Sequence, residues 1–398
     1  MNSGRGNYCA QIHLHPANRR PTVKLEQKIF DSASAWQTRF SSLGGAAPQL
    51  VLAFGGRRQL ETPALFAQLS RLYPGAHLVV ASTSGEISGT EIFEDCVVAT
   101  AVAFEKTQIR TVASDVQSAV ESYAVGCSLA ERLAGPDLVH VFAVSDGQRV
   151  NGAELARGFN ENLPNGVSLT GGLAGDGVRF ERTVVGLDEL PRVGRVVAVG
   201  FYGRNLRIGF GSAGGWAPFG PERVVTQSQG NTLKELDGQS ALRLYRDYLG
   251  DCAAELPGSA LRFPLCITPA EGGPQVVRTI LSIDDAAGTM VFAGDIPLGA
   301  RVRFMRASYE DLIDGAARAA EDSRLAPGSD LAICISCVGR RIVLGQRTEE
   351  ETEIVRETLG GTPMLAGFYS YGELAPSGGG SACQLHNQTM TITTLREE

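Results

Sequence analysis

The feature that most constrains the fold is a segment pattern that occurs three times along the chain. In each copy an apolar strand runs to a glycine, a helix follows, and a second strand ends at a glycine followed by a carboxylate. The paired glycines are about 30 residues apart: Gly56 and Gly85, Gly147 and Gly175, Gly339 and Gly372. A repeated spacing of this length predicts a repeated β-α-β unit.

Each unit is followed by a further strand-like stretch, at residues 96–104, 193–202 and 388–394. Because strand–helix–strand connections within one sheet are right-handed, the two strands of each unit should be parallel neighbours. We therefore predict an α/β fold of two related halves, built from repeated β-α-β units with antiparallel strand extensions. Chance similarity among α/β segments is the alternative interpretation.

A domain boundary is predicted near Gly230. A glycine- and proline-rich stretch at residues 211–221 precedes it, and a helix with Ser240 in a good N-cap position follows it. Residues 48–230 and 231–398 would form two domains. Residues 1–47 would be an N-terminal extension that we leave unassigned.

Composition and charge disfavour several classes of function. The net charge is −7, whereas a protein that neutralises nucleic-acid phosphates carries a basic surplus. No apolar run is long enough to span a bilayer, and residues 1–20 lack the apolar stretch of a secretory signal. The scattered cysteines, several of them inside apolar strands, indicate reduced thiols. We expect a cytoplasmic protein without nucleic-acid binding or membrane insertion.

Known catalytic motifs are absent or incomplete. Residues 209–214 spell Gly-x-Gly-x-x-Gly, but glycine and prolines follow where the dinucleotide motif needs a helix. The turn at Ser145 lacks the Gly-x-Ser-x-Gly pattern of a nucleophile elbow. Cys334 and Cys337 are not followed by histidine, so covalent haem attachment is not encoded. We expect no enzyme, and an undetected hydrolase or transferase is the alternative.

Candidate ligand-binding residues lie at the predicted carboxyl ends of the parallel strands, where α/β sheets usually bind ligands. A glycine allows close approach of the backbone, and a carboxylate can bind an amine or hydroxyl group of a ligand. These candidates are Glu86, Gly175, Asp176, Tyr371, Gly372 and Glu373. Arg340 belongs to a basic pair that could contact an anion, and a solvated surface arginine is the alternative for it. A structural turn, with the carboxylate capping a helix or strand end, is the alternative.

Several ordered motifs resemble the FIST family across residues 48 to 394. The most specific is Gly367-Phe-Tyr-Ser-Tyr-Gly-Glu-Leu-Ala-Pro376, and Leu385-His-Asn-Gln-Thr-Met-Thr391 is similar to the family's closing strand. Residues 82–87 and 171–176 match its N-terminal half, whereas residues 231–245 and 297–302 match its C-terminal half. Residues 48–230 would thus be the FIST N-terminal domain and residues 231–398 the C-terminal domain.

The resemblance implies a bacterial sensory protein that binds a small ligand and signals in trans to a partner such as a histidine kinase or a cyclic-nucleotide enzyme. A stand-alone subgroup binds haem and senses nitric oxide, so non-covalent haem b is the leading ligand that the resemblance suggests. His386 is then the candidate axial ligand, with Asn387 beside it. A half-buried histidine bonded to the backbone is the alternative for His386. An amino acid or another small metabolite is the alternative ligand.

Overall fold

The computed structural model describes residues 22–31, 35–256, 258–272, 275–376 and 382–398. The fold is mixed α/β, as predicted, with three six-stranded sheets and one eight-stranded sheet.

Strands and helices are numbered here in chain order. The strands are β1 Lys24–Phe30, β2 Gln37–Ser41, β3 Leu50–Gly55, β4 His77–Ser82, β5 Glu86–Ser88, β6 Glu91–Phe93, β7 Val97–Ala103, β8 Gln108–Asp115, β9 Leu138–Ser145, β10 Ser168–Leu173, β11 Val185–Leu187, β12 Arg195–Tyr202, β13 Leu206–Ala213, β14 Ala217–Gln229, β15 Thr232–Leu236, β16 Gln239–Ser240, β17 Leu265–Thr268, β18 Val276–Arg278, β19 Ile280–Asp284, β20 Thr289–Phe292, β21 Arg301–Arg306, β22 Leu331–Cys337, β23 Met364–Ser370, β24 Gly372–Pro376, β25 Cys383–His386 and β26 Met390–Glu397. The helices are α1 Arg57–Leu60, α2 Pro63–Leu72, α3 Ser122–Leu133, α4 Gly152–Asn162, α5 Ala241–Leu249, α6 Tyr309–Asp322, α7 Val338–Leu344 and α8 Thr348–Thr358. Short 3-10 segments lie at Ala119–Glu121, Gly250–Glu255, Gly258–Arg262 and Gly345–Arg347.

Three pairs of parallel strands, each connected through helices, lie where the sequence pattern repeats. The pairs are β3 with β4, β9 with β10, and β22 with β23. On its other side, the first strand of each pair meets an antiparallel strand, namely β7, β12 or β26. These strands are buried along almost their whole length, as expected for a sheet covered on both faces. That the units and the two halves are related copies stays a prediction.

The strand that follows each parallel pair leaves its own sheet and joins another one. β5 pairs with β23, β24 pairs with β10, and β11 pairs with β4. The three sheets therefore exchange strands in a cycle. A shared apolar core lies between them, and Phe54, Phe142 and Phe368 come from the three different sheets.

Local sequence signals explain where several helices begin. The Asn151 side chain accepts hydrogen bonds from the first turn of α4, which starts just beyond the end of β9. Ser308 and Asp311 form a reciprocal capping box at α6. Pro63 occupies the first turn of α2, where the missing N–H costs nothing.

The eight-stranded sheet forms a fourth layer with its own core. It contains β14 to β21, and α5 packs its Tyr245 against Phe304 of the sheet. The predicted hairpin is confirmed as β19 and β20, and Ser240 caps α5 as predicted. These residues, 217–306, lie between β13 and α6.

Part of the unassigned N-terminal extension has a defined structure. β1 and β2 form the edge of the first sheet, next to β7. Residues 1–21 and 32–34 lie outside the described residues. The order and role of this extension were open in the sequence, and the structure assigns its described part to the first sheet.

The Gly-x-Gly-x-x-Gly stretch begins inside β13 and is followed by β14. A Cβ atom on Gly209 would lie 2.1 Å from Ser323 O, and one on Gly211 would lie 2.0 Å from Ala319 O. The two glycines therefore let α6 pack directly on the sheet. This packing explains their presence without a nucleotide.

Candidate functional site

The segments that follow β4, β10 and β23 lie against one another. We call residues 83–86, 174–177 and 370–373 the three crossover segments, since the chain changes sheets there. The hydrogen bonds that connect them to neighbouring units are Gly175 N to Ser82 O (2.8 Å), Ser84 N to Tyr369 O (2.8 Å) and Tyr371 N to Leu173 O (3.2 Å). The three glycine–carboxylate pairs of the sequence thus come together at one region of the molecule.

Two glycines permit this close approach. A Cβ atom on Gly147 would lie 2.0 Å from Ala174 O and 3.0 Å from the Tyr371 ring, whereas one on Gly175 would lie 2.3 Å from Ser84 Oγ. A larger residue at either position would push the crossover segments apart. The glycines at the carboxyl ends of the strands are therefore required for packing, whatever else they do.

A cavity of about 590 Å³ opens beside the crossover segments. One wall comes from residues at or just beyond the carboxyl ends of β9, β10, β22 and β23, and the other wall comes from the fourth sheet. The first wall contains Gly147, Gln148, Val150, Asn151, Leu173, Cys337, Val338, Gly339 and Tyr371. The second contains Gly230, Asn231, Thr279, Ile280, Leu281, Phe292, Ala293, Gly294 and Asp295, and Ala119, Phe180 and Leu261 complete the lining.

This lining has the chemistry of a small-molecule site, mostly apolar with a few polar groups. Besides Cys337 and Tyr371, the polar side chains are those of Gln148, Asn151, Asn231, Thr279 and Asp295. The Thr279 hydroxyl oxygen is buried and has no hydrogen-bond partner among the described residues. Buried polar groups of this kind are normally paired, so the hydroxyl is available to a ligand.

Among the candidate residues from the sequence, Tyr371 lines the cavity. Its ring stacks on Phe180 with centroids 4.6 Å apart. The Tyr371 hydroxyl donates to Gly177 O at 3.1 Å and accepts from Phe180 N at 3.2 Å. Burial raises the pKa of Tyr371 to about 12, so the phenol stays protonated at neutral pH.

Glu373 lies inside the protein and is not part of the cavity lining. Ser370 Oγ donates to it at 2.6 Å, and Thr389 donates through both its Oγ1 (2.9 Å) and its N–H (3.2 Å). Burial raises the pKa of Glu373 to about 8, although these donors favour the ionised form. Its oxygens are therefore occupied by neighbouring protein groups.

Glu86 has a similar environment in the first crossover segment. Thr83 Oγ1 donates to one of its oxygens, and the Cys96 thiol lies 3.4 Å from the other. Burial raises its pKa to about 8. In both segments a hydroxyl residue three positions earlier donates to the carboxyl group, as Ser370 does to Glu373. Thus neither carboxyl group faces the cavity.

Asp176 forms ion pairs at the second crossover segment. Arg57 Nε lies 3.1 Å from its carboxylate and Arg179 lies 2.8 Å from it. Although burial opposes ionisation, hydrogen bonds from the two arginines lower the Asp176 pKa. The residue links the first and second units, and like Gly175 it is not among the residues that line the cavity.

Arg340 is completely buried and bonded to protein groups. Its guanidinium pairs with Glu351 and donates to Leu312 O at 2.7 Å and to Gly214 O. Glu351 also accepts from Tyr369 Oη at 2.9 Å. Arg340 therefore ties α7 to its neighbours and does not reach the cavity.

His386, Asn387 and Gly372 are not among the residues that line the cavity. The His386 Nε2 atom is 3.0 Å from Ala375 O, and burial lowers the pKa of the imidazole to about 4. Both polar atoms of the Asn387 side chain are buried without a partner among the described residues. A Cβ atom on Gly372 would lie 2.8 Å from Leu385 Cδ1, so this glycine also serves close packing.

A larger groove of about 690 Å³ lies elsewhere, near the start of β22 and β23, with Asp330, Met364 and Arg356 in its walls. Ligands of α/β sheets bind at the opposite, carboxyl ends of parallel strands. The smaller cavity, at the ends of β9 and β22, is therefore the better candidate site.

The sequence did not predict that the fourth sheet forms part of the cavity lining. Thr279 and Asp295 flank β19 and β20, and the sequence predicted only a hairpin there. No local sequence signal marks these two residues, because only the packing of the fourth sheet brings them to the cavity. The described ranges contain no cluster of three metal-ligating side chains and no helix suited to crossing a bilayer.

Comparison with known proteins gives two adjoining family matches. The model for the FIST N domain matches residues 49–239, and the model for the FIST C domain matches residues 241–376. An uncharacterized protein of Mycobacterium bovis is 26% identical over 384 residues, which cover 92% of this chain and 95% of that protein. An uncharacterized protein of Mycobacterium tuberculosis is 27% identical over 255 residues, 60% of this chain and 63% of its own length. The second match thus spans less than two thirds of that relative.

Proposed function

Because this chain belongs to the FIST family of signal-transduction sensory domains, we propose that it is a sensor that binds a small organic metabolite in the cavity of about 590 Å³. The observation that carries the proposal is the position of this cavity. It lies at the carboxyl ends of β9 and β22 and is closed by the fourth sheet. A ligand there touches two separate apolar cores at once.

This placement supplies a route for a signal. A ligand shifts a conformational equilibrium only when it binds one state more tightly than the other. A compound held between the fourth sheet and the crossover segments favours the arrangement in which both walls contact it. The change in the surface around the mouth, where Phe180 and Leu281 are partly exposed, would then alter contacts with a partner.

The proposal about the signalling partner is based on the family resemblance. A histidine kinase or a cyclic-nucleotide enzyme acting in trans is the proposed class. No turnover is proposed, and an enzymatic role would require a reacting pair of groups facing the cavity. Glu373 and Glu86 do not meet this requirement as they are placed.

Haem with nitric oxide as its gas ligand is the alternative proposal, and the residues around the cavity do not fit it well. His386 lies outside the lining, and its Nε2 contacts a backbone carbonyl. Cys337 lines the cavity, but burial raises its thiol pKa to about 12, which disfavours a thiolate ligand. Binding of a small metabolite is therefore better supported than binding of haem.

The test is a thermal-shift screen of amino acids, amines, organic acids and nucleosides with the wild type and two alanine-to-phenylalanine variants. Ala293→Phe fills the cavity, whereas Ala286→Phe changes an exposed turn of the same sheet. A ligand at a concentration 100 times its Kd raises the free energy of unfolding by about 2.7 kcal/mol. We expect this shift in the wild type and in Ala286→Phe but not in Ala293→Phe. A shift that Ala293→Phe retains, or no shift with any compound, would refute the proposal.

An absorption spectrum after reconstitution with haem decides the alternative. We expect no Soret band from specifically bound haem. A sharp Soret band that shifts on reduction and again with nitric oxide would replace the metabolite proposal with the haem proposal.

A further inference from the structure

The charges around the cavity define what kind of ligand it can hold. Among the described residues that line it, Asp295 is the only aspartate, glutamate, histidine, lysine or arginine. Cys337 and Tyr371 stay protonated, because burial raises both of their pKa values to about 12. The lining therefore presents one negative charge on an otherwise neutral surface.

The Asp295 carboxylate is not committed to a protein partner. It forms no hydrogen bond and no ion pair within 4.0 Å with another described residue. Arg278 interacts with it electrostatically, but the guanidinium is buried behind Gly294 and donates to Leu385 O at 2.9 Å. A partly buried carboxylate without a close counter-ion is well placed to receive one from a ligand.

A second group in the same cavity points to a hydrogen-bonding ligand. The Thr279 side chain is 5% exposed, and its hydroxyl oxygen has no partner among the described residues. This atom can accept a hydrogen bond from a ligand N–H. The hydroxyl thus complements the carboxylate, since both can accept hydrogen bonds from one protonated nitrogen or from two neighbouring donors.

Aromatic rings complete the environment. Phe180, Phe292 and Tyr371 all line the cavity, and the faces of aromatic rings attract organic cations. A metal ion is a poor alternative, since Asp295 belongs to no cluster of three ligating side chains in the described part of the chain. A ligand with an ammonium group on an apolar body could contact the carboxylate, the hydroxyl and the aromatic rings together.

We propose that the ligand of this cavity carries a protonated amine that pairs with Asp295, with Thr279 as a second acceptor and the aromatic rings around the apolar body. This inference rests on the proposed function and adds the chemical class of the ligand. A simple amine and an amino acid share the ammonium group, and the experiment separates them.

The test measures dissociation constants by saturation-transfer NMR for four probes of similar size. These are 2-phenylethylamine, phenylalanine, 2-phenylethanol and 3-phenylpropionate. We expect the amine to bind roughly 10- to 100-fold more tightly than the alcohol, because a hydrogen bond to a charged group contributes that factor. Comparison of 2-phenylethylamine with phenylalanine shows whether a carboxylate on the ligand adds to or reduces the affinity.

Three variants make the result specific. Asp295→Asn should abolish the preference for the amine, and Thr279→Val should weaken amine binding while leaving the unliganded fold at least as stable. Glu271→Gln removes one exposed charge outside the lining and should change nothing. An amine preference that survives in Asp295→Asn overturns the proposal.

Failure of the amine proposal gives a different result from failure of the proposed function. If the alcohol or the propionate binds as well as the amine and Ala293→Phe blocks it, the cavity binds ligands but the amine proposal is wrong. If none of the probes binds, the amine proposal is wrong, whereas a compound from the thermal-shift screen that Ala293→Phe blocks would still support the proposed function.

Discussion

The buried ion pair between Arg340 and Glu351 allows a sharp test of how the third unit is held together. Both side chains are completely buried. The Arg340 guanidinium also donates to two backbone carbonyl groups, whereas Glu351 accepts from Ser336 Oγ and Tyr369 Oη, each at 2.9 Å. Glu351→Gln keeps the shape of the side chain but leaves Arg340 as a buried cation without its counter-ion.

Removal of one partner of a buried ion pair costs about 3–5 kcal/mol. That is a large part of the roughly 5–15 kcal/mol by which a domain is typically stable. With a urea dependence of about 3 kcal/mol per M, the unfolding midpoint should fall by about 1 M or more. Urea unfolding followed by circular dichroism measures this change.

Two further variants provide the controls. Glu350→Gln alters the neighbouring, exposed glutamate that pairs with Arg347, and exposed pairs contribute little. Arg340→Met combined with Glu351→Leu removes both charges and should recover part of the loss. A change below about 1 kcal/mol for Glu351→Gln, or a double variant no more stable than Glu351→Gln, would refute this account of Arg340.

Two other predictions concern the crossover segments. The pKa of Glu373 in the folded protein is raised to about 8 from an ordinary value of 4.5, so the folded state holds the proton more tightly and the free energy of unfolding should fall as the pH rises between these values. Glu373→Gln should reduce this fall, measured by urea unfolding at pH 5 and pH 8.5, and an unchanged slope would contradict the assignment. Gly147→Ala should destabilise the protein by about 1–3 kcal/mol, because the new Cβ would lie 2.0 Å from Ala174 O. A wild-type melting temperature for this variant would show that the segments are not in close contact.

The sequence predicted the secondary structure around the site better than the site itself. Apolar strands ending in glycine placed β3, β9 and β22 correctly, because strand burial and turn chemistry are local properties. The three glycine–carboxylate pairs were expected at the carboxyl ends of parallel strands, and the crossover segments do contact one another there. That a ligand binds at this end of the sheets stays a prediction.

The direction of each side chain could not be predicted. Glu373 and Tyr371 stand two positions apart in one motif, yet Tyr371 faces the cavity whereas Glu373 is enclosed by Ser370 and Thr389. The outcome depends on where the chain leaves β23 and enters β24, which tertiary pairing decides. Asp295 and Thr279 were missed for the same reason, because only the packing of the fourth sheet brings them to the crossover segments.

The exchange of strands among the three sheets has a consequence for how the protein can be made. During synthesis, β10 emerges from the ribosome about two hundred residues before β24, the strand that pairs with it. A fragment that ends near residue 230 leaves that edge of β10 open, and an open apolar edge invites pairing with other chains. The sensor is therefore expected to acquire its cavity and its protection from aggregation together, once the last strands have been synthesised.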